Sequence, residues 1–118
     1  MSDTVSWLVT LTVKPGELDA FRALMGEMVA HHQTEPGTIT YEWFVSVDGG
    51  VVHIYERYAD SAAALKSSNA FGEHFAERFL AAVDVTGFYV YGNPNNAVRE
   101  AQGGVGAQFL GPFGGFAR

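Results

Sequence analysis

Glu56 stands in the run Ile54-Tyr55-Glu56-Arg57-Tyr58. In a strand, alternation places its carboxylate on the face shared by Ile54 and Tyr58. A carboxylate among aromatic and aliphatic groups must find a partner, stay protonated, or line a wet pocket. Glu56 is therefore a candidate acid–base residue with a pKa raised by burial. The plain alternative is a structural carboxylate held by backbone donors, a tyrosine hydroxyl or a partner chain. His74 is a second candidate base, because an unperturbed imidazole titrates near physiological pH; its plain alternative is pairing with Glu73 or Glu77. Arg78, one helical turn further on, is suited to an anionic oxygen or to an ion pair. Tyr41, Trp43, Tyr58 and Phe71 are the candidate substrate-binding wall, with core packing as the alternative. His31, His32 and Glu35 superficially suggest a metal, but no second cluster completes a coordination shell, and no metal is expected.

The elements that must position these groups can be read from pattern. Residues 34–60 hold two strand-forming runs joined by Asp48-Gly49-Gly50. Asp-Gly supplies the conformations of a tight hairpin turn, here expected as a two-residue loop. That loop pairs Trp43 with Ile54 and gathers Ile39, Tyr41, Trp43 and Val45 on one face with Val52, Ile54, Glu56 and Tyr58. His53 and Phe44 fall on the opposite face, with Val51 and Tyr55. Before the hairpin, VSWLVTLTV (Val5–Val13) alternates as a half-buried strand. Residues 17–35 carry Leu18, Phe21, Leu24, Met25, Met28, Val29 and His32 as one helical stripe. After it, Asp60-Ser61 suits a helix N-cap, with Ser67-Ser68-Asn69 expected to interrupt the helix. Phe71, Phe75, Phe79 and Ala82 then form a second helical stripe. Residues 85–91 read as a last strand, Val85, Gly87, Tyr89 and Tyr91 alternating with Thr86, Phe88 and Val90.

The order is β-α-β-β-α-β, which gives an α+β, ferredoxin-like sheet with both helices on one face. The other face carries Leu8, Phe44, Val51 and Tyr55 with nothing in the monomer to cover them. A homodimer packing sheet to sheet is expected on this ground. Residues 1–92 make this domain. Residues 93–118 form a Gly/Phe-rich extension in which Asn95-Asn96 suits the cap of a short helix. Its phenylalanines imply docking on the domain or the partner subunit.

The chain has 118 residues, a formal charge of −6 and no cysteine. One globular domain fits that length. Scattered basic residues argue against nucleic-acid binding. Zero cysteines exclude disulfides and a thiol nucleophile. No apolar stretch is long enough for a membrane span and the first residues, MSDTVSW, show no leader, so a cytoplasmic protein is expected. The glycines at 103–106 match no phosphate-binding loop. Nine Phe, five Tyr and two Trp exceed what a modest core needs, and point to an aromatic-lined pocket or subunit interface.

Several residues in order resemble the antibiotic-biosynthesis-monooxygenase family. They are Val13-Lys14-Pro15-Gly16, Glu35-Pro36-Gly37 with Tyr41 following, Ile54-x-Glu56-x-Tyr58, Asp60 with Ala64-Leu65, and Phe71 with His74-Phe75. The resemblance covers about residues 5–91. It implies a dimeric α+β barrel with a pocket between helices and sheet in each subunit. Relatives include cofactor-free monooxygenases of quinones and anthrones, and haem-degrading enzymes. Tyr58 stands where members often have tryptophan, Ser68 where they have histidine, and Val9 where haem degraders have asparagine. Haem degradation is therefore not expected.

Cofactor-free oxygenation requires a dry aromatic pocket, a base, and donors for the developing oxyanion. The expectation is a monooxygenase acting on an aromatic or polyketide-like ligand, with no cofactor. His74 and Glu56 would be the candidate bases and Arg78 the anion holder. The alternatives are a non-catalytic binding or assembly dimer whose tail fills the pocket, or isomerase or hydrolytic chemistry on a small metabolite.

Overall fold

The computed structural model describes residues 3–118; the first two residues of the stretch read as leader-free lie outside the described residues. Its elements run β1 (Val5–Val13), α1 (Leu18–Gln33), β2 (Thr38–Val45), β3 (Val51–Tyr58), α2 (Ser61–His74), α3 (Ala76–Ala82), β4 (Val83–Gly92), α4 (Asn96–Gly103) and β5 (Gln108–Leu110). The sheet order is β2-β3-β1-β4-β5. The first four strands are antiparallel neighbours, as a ferredoxin-like α+β fold requires, and β5 adds to β4 in parallel. Leu11, Val52 and Ile54 face the helices and are buried against Phe21, Leu24, Met28, Phe75 and Phe79, while Trp7 is buried in a second cluster with Tyr58, Ala64, Val90 and Val98.

The hairpin keeps the expected register, Trp43 opposite Ile54 and Tyr41 opposite Glu56. The two-residue loop does not form. The last registered pair is Val45 with Val52, the Ser46 N–H donates to Val51 O at 2.9 Å, and the Gly49 N–H donates to Ser46 O at 2.9 Å. The Asp48 carboxylate accepts from Ser46 Oγ at 2.7 Å and from the Gly50 N–H at 2.9 Å. Only Gly49 takes a positive φ here, +76°, whereas the primed turn needs two such residues. The side-chain bonds of Asp48 favour the wider loop instead. At the other end of β2, a register shift between Thr38 and Thr40 displaces Ile39 from the expected inner face, leaving it 55% exposed.

Two further expectations are corrected. Helix α2 runs without interruption through Ser67-Ser68-Asn69, and the break falls at Phe75, with φ −127° and ψ −26°. Ser67 does not compete for the helix backbone because its hydroxyl bonds to side chains of other elements. In β4, a bulge opposite Thr10 and Leu11 shifts the alternation. Val85 thereby leaves the Tyr89 and Tyr91 face and shares the cavity wall with Phe88.

On the open face, Leu8 lies between Tyr55 and Tyr89, and Phe44 and Val51 are exposed. The C-terminal residues add α4, capped by the Asn95 side chain on the Val98 N–H, and then β5. Residues 111–118 lie exposed. No helix among the described residues is long and apolar enough to cross a membrane.

Gly37 is demanded by space. A Cβ there would stand 2.5 Å from Ala63 Cβ at the start of α2, and the Gly37 carbonyl accepts the Ala59 N–H at 2.9 Å. Gly37→Ala is expected to cost about 1–3 kcal/mol by overpacking, read from urea unfolding. Combined with Ala63→Gly, it should cost less than the two single changes added together.

Candidate functional site

The helices stand off the sheet around a cavity of about 460 Å³. Strand β1 contributes Trp7 and Val9, β2 contributes Tyr41, and β3 contributes Ile54 and Glu56. Helices α1 and α2 add Met28, His32, Ser67 and Phe71, and α4 closes the wall with Ala101 and Gln102. Among the described lining residues, Glu56 is the one acid, and no Lys or Arg is present. A cavity of this size and apolar character suits a small ligand held by a few polar groups.

Glu56 occupies its place because β3 alternates: Ile54 and Tyr58 flank it on the buried face while Tyr55 and Arg57 turn away. Burial raises the carboxyl pKa from the ordinary 4.5 to about 7, against the opposing pull of donors from Tyr58 and Trp7. The Tyr58 hydroxyl donates to Glu56 Oε1 at 2.5 Å and meets Ser67 Oγ at 2.6 Å. Ser67 Oγ in turn lies 2.9 Å from His32 Nε2, and His32 Nδ1 lies 2.8 Å from the Met28 carbonyl. The imidazole stacks on Tyr41, with ring centroids 3.7 Å apart and planes 7° from parallel. Burial lowers the His32 pKa, only partly opposed by the bond to Met28. It raises those of Tyr41 and Tyr58 well above the ordinary phenol value.

The Tyr41 hydroxyl and Trp43 Nε1 are buried with no partner in hydrogen-bond geometry. The indole is nonetheless near enough to ease ionisation of the phenol slightly. Unpaired donors of this kind cost about 1–3 kcal/mol each.

Of the residues singled out from sequence, Glu56, Tyr41 and Phe71 line the cavity, and Tyr58 reaches it through its bond to Glu56. Trp43 lines a shallower groove of about 210 Å³ with Leu18 and Arg22. His74 and Arg78 lie outside the cavity wall. The His74 side chain is 58% exposed, 3.7 Å from Glu73, and Arg78 pairs with Glu27 at 2.8 Å. His31 meets Glu35 at 3.5 Å, and Glu35 is bound by Lys66 at 2.9 Å. Among the described residues no three His, Asp or Glu side chains gather as a metal-binding group.

His32, weighed from sequence only as a metal ligand beside His31 and Glu35, and Ser67, read only as a helix interruption, both belong to the site. Each is a polar residue at a buried stripe position, His32 one turn after Met28 and Ser67 between Ala64 and Phe71. A polar group at such a position needs a buried partner, which is the signal that could have found both.

The raised Glu56 pKa has a sign that stability can report. A folded-state pKa above the unfolded value gives stabilisation that is fully present below about pH 4.5. It is lost as pH rises through about 7, an expected change of about 3 kcal/mol. Glu56→Gln, which mimics the neutral acid, is expected to flatten the urea-unfolding stability profile between pH 5 and pH 8. An unchanged slope would place the charge elsewhere.

The fold has known counterparts. MupZ from Pseudomonas fluorescens superposes with a TM-score of 0.88 at 22% identity, covering 100% of this chain and 91% of that one. SnoaB from Streptomyces nogalater, a cofactor-independent oxygenase, gives 0.66 at 16% identity over 80% of this chain and 97% of its own. A putative antibiotic biosynthesis monooxygenase from Bacteroides thetaiotaomicron gives 0.64 at 21% identity, over 75% and 85%. At these identities the likeness establishes the fold alone. No curated protein sequence matches the chain. The family model for antibiotic biosynthesis monooxygenases matches residues 4–85, most of the chain, and by that match the protein belongs to the antibiotic biosynthesis monooxygenase family.

Proposed function

We propose that the protein is a cofactor-independent monooxygenase acting on an uncharged aromatic or polyketide-like small molecule, with Glu56 as its acid–base residue. The observation that carries this reading is a carboxyl group with a pKa of about 7, set in an otherwise apolar wall of a 460 Å³ cavity. A group half ionised near neutrality serves equally as base and as acid. The family and the fold shared with SnoaB support oxygenation as the reaction.

In this scheme the Glu56 carboxylate takes a proton from an activated C–H of the ligand. The carbanion reduces O2, a C–O bond forms, and a peroxide results. Cleavage of its O–O bond, with loss of the second hydrogen from that carbon, leaves a ketone and water. The absence of cationic groups from the described lining favours a ligand that enters neutral. His74 and Arg78 stay as an alternative base and anion holder at the surface.

A second reading rests on the same carboxyl: in its neutral form it donates a proton to a ligand oxygen, which suits an isomerase or a hydrolytic enzyme. The non-catalytic reading, with a tail plugging the pocket, finds less support, since Phe113 and Phe116 are 107% and 80% exposed. Those rings and the bare sheet face around Leu8, Tyr55 and Phe44 support a homodimer, proposed here as the working form in the cytoplasm. Light scattering at micromolar concentration is expected to give twice the chain mass, and a stable monomer would remove that assembly.

Oxygen consumption with anthrone and hydroquinone substrates tests the reaction. Glu56→Gln is expected to lower kcat by about 10²–10⁴-fold. Loss confined to His74→Ala would move the base to α2. Ligand conversion without oxygen uptake would select the second reading, and no conversion of a broad panel would remove both.

A further inference from the structure

The contacts joining Glu56 to His32 can be counted in protons. Three of them run in series: Glu56 to Tyr58, Tyr58 to Ser67, and Ser67 to His32. Each needs one proton to be a hydrogen bond. Tyr58 and Ser67 supply one each. His32 Nδ1 faces the Met28 carbonyl, an acceptor, so its N–H points there and Nε2 of the neutral ring has none to give. With Glu56 ionised and His32 neutral, the chain is one proton short.

One added proton completes the chain in either of two ways. On Glu56, it makes every bond point toward the imidazole: carboxyl to Tyr58, Tyr58 to Ser67, and Ser67 to Nε2. On His32, it reverses all three. The two arrangements hold the same protons and interconvert by moving three of them, each across one bond, without moving a heavy atom.

We propose that Glu56, Tyr58, Ser67 and His32 form a proton relay, in which a single proton is shared between the carboxyl and the imidazole at opposite ends. The proposal deepens the reading of Glu56 as the acid–base residue and rests on it. Both His32 nitrogens are engaged, by the Met28 carbonyl and by Ser67, so a proton taken from the ligand at Glu56 is held on the imidazole and the carboxylate facing the cavity is regenerated. When Glu56 accepts a proton, the carboxyl passes one to Tyr58 O. Tyr58 passes its own to Ser67 Oγ, Ser67 passes its own to Nε2, and the carboxylate is restored. Glu56 is the catalytic end, and Tyr58, Ser67 and His32 act through it as positioning and proton-holding residues.

Burial disfavours a standing cation on His32, so the proton resides there only in passing. His32 faces the Tyr41 ring from β2, Ser67 from α2, and His31 and Glu35 from its own helix, Glu35 being bound in turn by Lys66. Glu56 faces Tyr58, the Trp7 indole and Tyr41. No Asp, Lys or Arg among the described residues lines the cavity beside either end.

The test follows the imidazole 15N and carboxyl 13C resonances of the full chain from pH 5 to pH 9, with no substrate present. In the wild type, His32 Nε2 is expected to move with the Glu56 carboxyl as one coupled titration. Ser67→Ala and Tyr58→Phe should each separate the two, shifting the His32 midpoint by about one pH unit, while Ser67→Thr retains the coupling. Glu56→Gln should abolish the shared step. A His32 curve in Ser67→Ala that superimposes on the wild type overturns the relay, as does one unaffected by Glu56→Gln. Should Ser67→Ala fail to fold by its amide spectrum, Tyr58→Phe decides by the same comparison. Coupling without oxygen uptake leaves the relay standing and removes the oxygenase reading; oxygen uptake without coupling does the reverse.

Discussion

A carboxyl group held among apolar side chains is the constraint that the rest of the site depends on. β3 cannot turn Glu56 outward without also turning Ile54 and Tyr58 outward, because side chains alternate with a period of two. The strand therefore commits a titratable group to the inner face. Isolated ionisation there is costly, and the surroundings answer with donors and not with a countercharge. The phenol of Tyr58 is fixed by Ser67 on α2, and Ser67 by His32 on α1. One half-buried group thus ties two helices to the strand beneath them.

The same choice shapes what the cavity can hold. A lysine or arginine beside Glu56 would ionise it permanently and fill the space with a hydrated charge. With none in the described lining, the group stays near its midpoint at neutral pH and the walls remain apolar. The basic side chains of α2 and α3 are engaged elsewhere: Lys66 with Glu35, and Arg78 with Glu27. They govern the outer surface of the helices.

Elements with a clear period were legible in the sequence, and so was the hairpin register. β1, α1 and β3 emerge from alternation or helical stripes, because burying one face is what fixes their orientation. The turn was misread because the Asp48 side chain bonds to its own loop, a local interaction that the strand pattern does not encode. Ser67-Ser68-Asn69 was misread for the opposite reason. Those residues weaken a helix when their hydroxyls turn to the backbone, but Ser67 has distant partners that only the tertiary fold supplies. The bulge in β4 hid Val85 from a strict count of two. Glu56 stood out as a polar residue in an apolar face, yet which groups would meet it depended on how α1 and α2 cross the sheet. His74 and Arg78 attracted attention by residue type, which says nothing about which side of a helix faces inward.

The boundary of the family match divides the cavity in an informative way. Trp7, His32, Tyr41, Glu56, Tyr58 and Ser67 all fall within residues 4–85, so the cavity's one carboxyl and the groups hydrogen-bonded to it lie inside the matched span. Phe88, Ala101, Gln102 and Val105 also line the cavity, and they fall beyond that boundary. Gln102 is buried although it lies at the end of a short polar helix, which means α4 is seated against the domain and is not a free appendage. The superposition on MupZ takes in this extension, covering 100% of the chain. The hydrogen-bonded carboxyl, phenol and imidazole thus lie inside the matched span, while part of the cavity wall, Phe88 and the residues of α4, lies beyond it. A fold arranged in this way can change what it admits by altering α4 and β4 while the carboxyl, phenol and imidazole beneath keep their spacing.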